Sequence, residues 1–443
     1  MENNKAKLIK ISRYLTQQFE TPDYGLFWFG YYNYDPLSGD KQRLLCGRAG
    51  KDGVAPKKGD VIDIGYFDIA TRDWHKVGES DSWNWQQGAM EQWLGDEEII
   101  FNNSNGIHLF SEIHNVFSGE KRIVNWPIYG ITPDYGKSIA LNLERSYWCR
   151  AYHYQSVVNE RLKGKVIEED GIFSVDLRTG EKTRIISIND VICTGWTPEF
   201  ENAQHWLEHI MISPSGSKFC FLHRFALSDN VYSYKTRLFI ADIDGANLTI
   251  VGDWHKQDWS HFGWVNDDSF TVYSYEQYRR YEPRTISQLL PKHPFRALLK
   301  LYNGLTYRFF PYFVSRFLNG KRQYYQCYSL NGHGVYENRT NIETSIFNID
   351  GHPSFTKDGK YMITDSYPDR KGYQRLIIYN TLTNKGIIVA KLYAGLKDTP
   401  ASCDLHPKLN RDNSIVCVDT AYDGRHHMIV FEINWNLVKQ KIG

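Results

Sequence analysis

The stretch HPSFTKDGKYMITDSYPD at 352–369, followed by RLIIYN at 375–380, decides the fold. A short apolar run meets a Lys-Asp-Gly turn, a second apolar run answers it, and a third follows. Glycine adopts positive φ without steric cost, so this pattern reads as a tight hairpin with a third strand beside it. The same unit recurs in HIMISPSGSKFCFLHR at 209–224, leading into RLFIADIDG at 237–245. It recurs again in HPKLNRDNSIVCVDTAYDGRHHM at 406–428, whose third run is HMIVFEI at 427–433. Weaker copies open near Tyr31 (YYNYDPLSGDKQRLLC), Gln92 (QWLGDEEIIFNN), Tyr129 (YGITPDYGKSIALN) and His261 (HFGWVNDDSFTVYS). Seven copies at intervals of roughly 40–60 residues match four-stranded propeller blades. A barrel or doubly wound fold needs amphipathic helices between its strands, and almost none is found. A pair of β-sandwiches would explain strands but not seven similar units. The expectation is all-β: one domain, 1–443, folded as a seven-bladed β-propeller.

One segment breaks the pattern. Residues 276–323 carry ten Lys and Arg against Glu276 and Glu282, a surplus of eight in a chain whose net charge is +1. Phe295, Leu298, Leu299, Leu301 and Tyr302 recur at helical spacing, so this basic insertion is expected to be partly helical. It follows the second strand of its blade and is expected to cap the funnel, where it would gather anionic polymer. A solvated loop and a peripheral contact with a membrane surface are the other readings of it.

Composition narrows the classes. A net charge of +1 speaks against nucleic acid as a partner. Aromatics make up 15% of the chain, with 30 Tyr and 13 Trp, a load that suits β-rich proteins and sugar-stacking surfaces. The N-terminal MENNKAKLIKISRYLTQQFE has no apolar run of signal-peptide length, and no later segment offers a spanning stretch. Seven cysteines are scattered without a CxxC pair, which suggests neither a disulfide framework nor a zinc site. A cytoplasmic protein is expected, with peripheral contact at the inner membrane as an option through the insertion.

The chemistry collects at one repeat position. His209, His261, His352 and His406 open the first strands of four consecutive blades, and first strands line the axis of a propeller. A hairpin returns to its origin, so the ends of second strands share that face. They contribute His223, Arg224, Tyr367, Tyr422 and, just beyond, Arg425, with Asn142 and Arg145 at the same point of the third blade. A lone histidine before a strand is usually structural. Four of them beside arginines and tyrosines suggest acid–base or metal chemistry at a funnel mouth. Asp365 and Asp419 are expected to support the blades.

The quoted motifs, with WFGYYNYDP at 28–36 and QWLGDEEIIFNN at 92–103, resemble the oligogalacturonate lyase-like propellers of the polysaccharide lyase family 22 type. The resemblance covers most of the chain outside the insertion. It implies β-elimination on a uronate-containing oligosaccharide or polysaccharide. In that reading Arg224 and Arg425 are candidates to neutralise the carboxylate, and one of His209, His261, His352 and His406 is the base. Tyr367 or Tyr422 is the acid. His223, Arg145, Asn142, Tyr422 and Gln92 are candidate substrate contacts. No Gln-x-x-His-x-His cluster of the pectic enzymes is present. A divalent metal, manganese or calcium, held by His261, His352 and His406 stays open beside neutralisation by arginine alone. The rival class is a non-catalytic propeller that binds an acidic saccharide or a protein, in which the same side chains would be tied to backbone groups. Hydrolysis would need two flanking carboxylates, which the repeat position does not supply.

Overall fold

The computed structural model describes residues 8–149, 154–227, 231, 233–279, 319–331, 335–342 and 344–443. Its strands form seven antiparallel sheets, five of them built from consecutive strands alone. Blade 1 comprises Leu26–Trp28, Arg43–Ala49, Ile62–Asp68 and Trp74–Ser80; blade 2, Gln92–Leu94, Glu98–Ser104, Leu109–Asn115 and Lys121–Val124. Blade 3 comprises Gly130–Ile131, Lys137–Leu141, Gly171–Asp176 and Lys182–Ser187; blade 4, Gln204–Ile212, Lys218–Ala226, Tyr234–Asp242 and Thr249–Val251. Blade 5 comprises Gln257–Asn266, Ser269–Arg279, Asn319–Leu330 and Tyr336–Ile342. Blade 6 comprises Ser354–Phe355, Tyr361–Thr364, Tyr373–Asn380 and Lys385–Tyr393; blade 7, Lys408–Leu409, Ile415–Thr420 and His427–Ile433.

The seven-bladed propeller is therefore the fold. Blade 7 lacks a fourth strand of its own, and Leu15–Glu20 supplies it by pairing with His427–Ile433. Ile9–Ile11 adds a fifth strand to blade 6. The N-terminal segment thus closes the ring and covers two sheet edges that would otherwise present unpaired backbone.

The hairpin turns form for the reason the sequence implies. Gly216, Gly359 and Asn413 sit at corresponding turn positions with φ of 81°, 66° and 63°. At the blade 6 turn the Gly359 amide bonds to the Thr356 carbonyl at 2.8 Å. Only glycine and asparagine enter this region cheaply, which explains why these two residue types mark the repeat. The packing between blades is apolar, with large clusters rich in Phe, Ile, Leu and Tyr.

Two expectations need adjustment. Blade 1 opens at Leu26 rather than Tyr31, because Gly30 leaves the strand at φ 100° and turns Tyr31 and Tyr32 inward. The insertion root is also shorter than 276–323. Strands reach Arg279 and resume at Asn319, paired with each other, so regular structure runs into the segment from both ends. The expected partly helical cap, 280–318, lies outside the described residues. Among the described residues no helix is long and apolar enough to cross a membrane.

Candidate active site

Where the histidines stand follows from local strand irregularities. In blade 4 the pairing skips between Glu208 and Met211, and in blade 5 it skips between Trp259 and Phe262. Each skip is a bulge, which re-aims the side chains it contains, and His209 and His261 occupy these two bulges. His352 and His406 lie just before the first strands of blades 6 and 7. The backbone of His209 has φ 57° and that of His406 has φ 42°, left-handed conformations that cost energy in a non-glycine residue.

All four line one cavity of about 600 Å³. The ring centroids of His261 and His352 are 4.0 Å apart, and those of His352 and His406 are 4.2 Å apart. Tyr32 packs against three of the rings. His209 stacks parallel to Tyr31, whose hydroxyl bonds to its Nδ1.

A second layer of acceptors fixes the rings. Asp365, itself buried, accepts the His352 amide at 2.7 Å, the His352 Nδ1 at 2.9 Å and the His406 amide at 3.1 Å. The His406 Nδ1–H donates to the Gly30 carbonyl at 2.6 Å. A side chain at Gly30 would meet the Gln87 backbone at 2.5 Å, so this close approach requires glycine. With Nδ1 of both rings engaged, each Nε2 keeps its lone pair. Burial pushes both imidazoles well below their ordinary pKa, aided for His352 by His261 and for His406 by His352. They are neutral, as metal ligands must be.

Asp404 completes a cluster. One donor atom from each of His352, Asp404 and His406 lies within 4.8 Å of the other two. Burial and the neighbouring Asp365 push the Asp404 carboxyl up to about 7. Two neutral imidazoles, a carboxylate and fixed outer partners fit a divalent ion. The sequence-based set of His261, His352 and His406 is thus replaced in part. His261 bonds through Nδ1 to Asp350 at 3.3 Å, and Asp404 takes the third place. Burial opposes a charge on His261, yet the Asp350 carboxylate outweighs it and raises the imidazole pKa. Asp350 is in turn held by the Tyr275 hydroxyl at 2.7 Å.

On the opposite wall Arg224 pairs with Glu208 at 2.8 Å and bonds to the Tyr234 hydroxyl at 3.0 Å. Tyr367 lines the same cavity, 6.0 Å from His261 and 5.7 Å from His352 between ring centroids. Burial raises its pKa well above the ordinary phenol value.

No family model and no curated protein matches the sequence. Solved structures do match. An oligogalacturonate lyase in complex with manganese aligns at a TM-score of 0.58 with 16% identity, covering 97% of this chain and 98% of that one. The oligogalacturonate lyase from Vibrio parahaemolyticus aligns at 0.56 with 14% identity, covering 96% of each. The fold is that of the oligogalacturonate lyases.

Within the propeller, the cavity brings together His209, His261, His352, His406, Arg224 and Tyr367. It does not include the remaining candidates. Arg425 lies in a separate groove, where it bonds to the Asp23 carbonyl and to Asp423. The Tyr422 hydroxyl meets Glu20 at 2.7 Å and so fastens the closing strand. Arg145 is buried and donates to the carbonyls of Leu162, Gly164 and His205. Gln92 donates to the Tyr129 carbonyl, and the Asn142 carbonyl accepts the Arg145 amide. His223 is fully buried against His205, with the facing nitrogens 2.9 Å apart. For Tyr422, Arg145, Gln92, Asn142 and His223 these are packing contacts. The sequence reading did not single out Asp404, Asp350, Tyr31 or Tyr234 as site residues, although the shared Asp-x-His spacing at 350–352 and 404–406 marks the first two.

The His205–His223 pair makes a prediction. Burial, with Arg237 nearby, lowers the pKa of both. The folded state therefore binds fewer protons than the unfolded state. Their contribution is intact above the unfolded value of about 6.5 and is lost as pH falls below it, by about 1.4 kcal/mol per pH unit for each histidine. Urea unfolding between neutral and mildly acidic pH should show a shallower stability loss in His223→Phe than in the parent. Superimposable pH profiles would refute this origin.

Proposed function

We propose that this chain is a lyase that cleaves a uronate-containing oligosaccharide by β-elimination in the histidine cavity. The observation carrying the proposal is the convergence in one cavity of His261 with its Asp350 partner, Arg224, Tyr367 and the His352–Asp404–His406 cluster. The oligogalacturonate lyase fold supports the saccharide class.

Elimination needs the uronate carboxylate neutralised so that the C5 proton becomes acidic. The Arg224 guanidinium offers a fork that matches a carboxylate. A divalent ion held by His352, Asp404 and His406 would supply a Lewis acid for the same charge. His261 donates Nδ1–H to Asp350, leaving Nε2 without a hydrogen bond among the described residues. That nitrogen takes the C5 proton, the C5–H pair forms the C4=C5 double bond as the C4–O bond breaks, and Tyr367 protonates the departing oxygen.

The test is ultraviolet absorbance of the conjugated unsaturated uronate, followed with a panel of acidic oligosaccharides before and after chelation. Asp404→Asn is expected to weaken manganese affinity about 10–100-fold, the range seen when groups around a metal are altered, and to reduce turnover in parallel. Isothermal titration with manganese alone reads the first effect. Saccharide binding without absorbance change across the panel would favour the non-catalytic propeller.

A further inference from the structure

Arg425 was expected beside the histidines, and its actual surroundings form a second recess of about 620 Å³. The recess is lined by Tyr24, Arg48, Asp52, Asp63 and Arg425 with Asp23. It lies on the same face as the cavity. Leu26 opens the first strand of blade 1 and pairs with Ala49 at the end of the second, and both border the recess. The loop after Ala49 separates the two hollows: Gly50, Asp52 and Val61 border the recess, while Ala55 and Pro56 border the cavity.

The dividing loop is pinned. Asp52 accepts both the His426 amide at 3.0 Å and its Nδ1 at 2.8 Å, and the His426 ring stacks on Trp85 at 4.2 Å. Trp85 in turn lines the cavity and donates to the Val54 carbonyl. The recess is therefore a fixed hollow one loop away from the cavity.

Its chemistry suits an acidic sugar. Of its three carboxylates, Asp52 is engaged by His426 and Asp63 is held by Lys76 at 2.7 Å, while Asp23 stands beside Arg425, which donates to its backbone carbonyl. The nearest carboxylate oxygen to the Arg48 guanidinium is 3.9 Å away, and that guanidinium makes no hydrogen bond among the described residues. Arg48 lies over the ring of Tyr24, which is 57% exposed. An exposed aromatic ring beside a guanidinium with donors unspent is a pairing that stacks a pyranose and grips its carboxylate.

We infer that this recess is an outer subsite that holds a further uronate residue of a chain whose scissile bond lies in the histidine cavity. The inference rests on the acidic-saccharide reading of that cavity. It makes the protein a reader of chain length: oligosaccharides long enough to cross the loop at Ala55 and Pro56 engage both hollows, and dimers engage only one.

The experiment uses the full chain with galacturonate and glucuronate oligosaccharides from dimer to hexamer, and a neutral glucose hexamer as control. Binding is read by calorimetry and turnover by ultraviolet absorbance. Tyr24→Ala and Arg48→Gln, both at the surface, are expected to weaken hexamer binding about five- to ten-fold and to leave the dimer unchanged. If both variants bind hexamer and dimer like the parent while Arg224→Gln weakens both, the outer subsite is refuted and the cavity reading stands. If hexamer binding depends on Tyr24 but no uronate chain is cleaved, the lyase reading fails and the recess stands as a saccharide site. Equal affinity for the neutral hexamer would overturn the assignment to acidic chains.

Discussion

His261→Gln is expected to lower kcat on a uronate oligosaccharide by about 10²–10⁴-fold, the span that general-base catalysis contributes, with KM changed far less. Three features single out this histidine among the four. His352 and His406 have their Nδ1 atoms fixed and cluster with Asp404, an arrangement for a metal rather than a proton. His209 is engaged at both nitrogens, by Tyr31 at Nδ1 and by Glu208 at 3.4 Å from Nε2. His352 also has a carboxylate at Nδ1, but burial and His261 lower its pKa, whereas Asp350 raises that of His261, whose Nε2 has no hydrogen bond among the described residues. The variant should fold. Asp350 retains the Tyr275 hydroxyl and the Gly351 amide, so it is not stranded when the imidazole goes. Steady-state kinetics by ultraviolet absorbance, with circular dichroism as the folding control, measures the effect. A kcat near the parent value would move the proton abstraction to His209.

Much of this was legible in the chain because the propeller repeats its chemistry. Ser-Gly, Asp-Gly and Asp-Asn turns announce positive φ locally, and an apolar run on each side makes the hairpin, so blades 4, 6 and 7 declare themselves. The four histidines were found because each sits at the same place in its own repeat. Asp404 was not, although it stands two residues before His406 as Asp350 stands two before His352, because this Asp-x-His spacing precedes the strands and falls outside the apolar repeat. Arg425 was misplaced for a related reason. The DGR turn does lie at the histidine face, but the loop pinned by His426 and Asp52 stands between it and the axis. Sequence periodicity fixes which face a residue occupies. Its radial distance from the axis depends on loops that carry no period, and here the loop from Gly50 to Val61 decided it.

Lys408→Met is expected to destabilise the fold by about 3–5 kcal/mol, the cost of stranding a buried charge. Lys408 and Asp419 bond at 2.6 Å with side chains 0% and 3% exposed. The same carboxylate accepts the amides of Phe29 and Gly30, each at 3.0 Å, and the Gly30 carbonyl holds His406. The pair therefore joins blade 7 to the segment that lies beneath the histidines. Glu91 is close by, and burial pushes its carboxyl up to about 8, so it carries a proton at neutral pH and leaves Asp419 as the partner of the ammonium. Lys408→Met/Asp419→Asn should recover part of the loss, because the stranded charge is gone while the amide oxygen can still accept. Urea midpoints for both variants measure this. A single variant as stable as the parent would show that the ion pair does not hold the floor of the site.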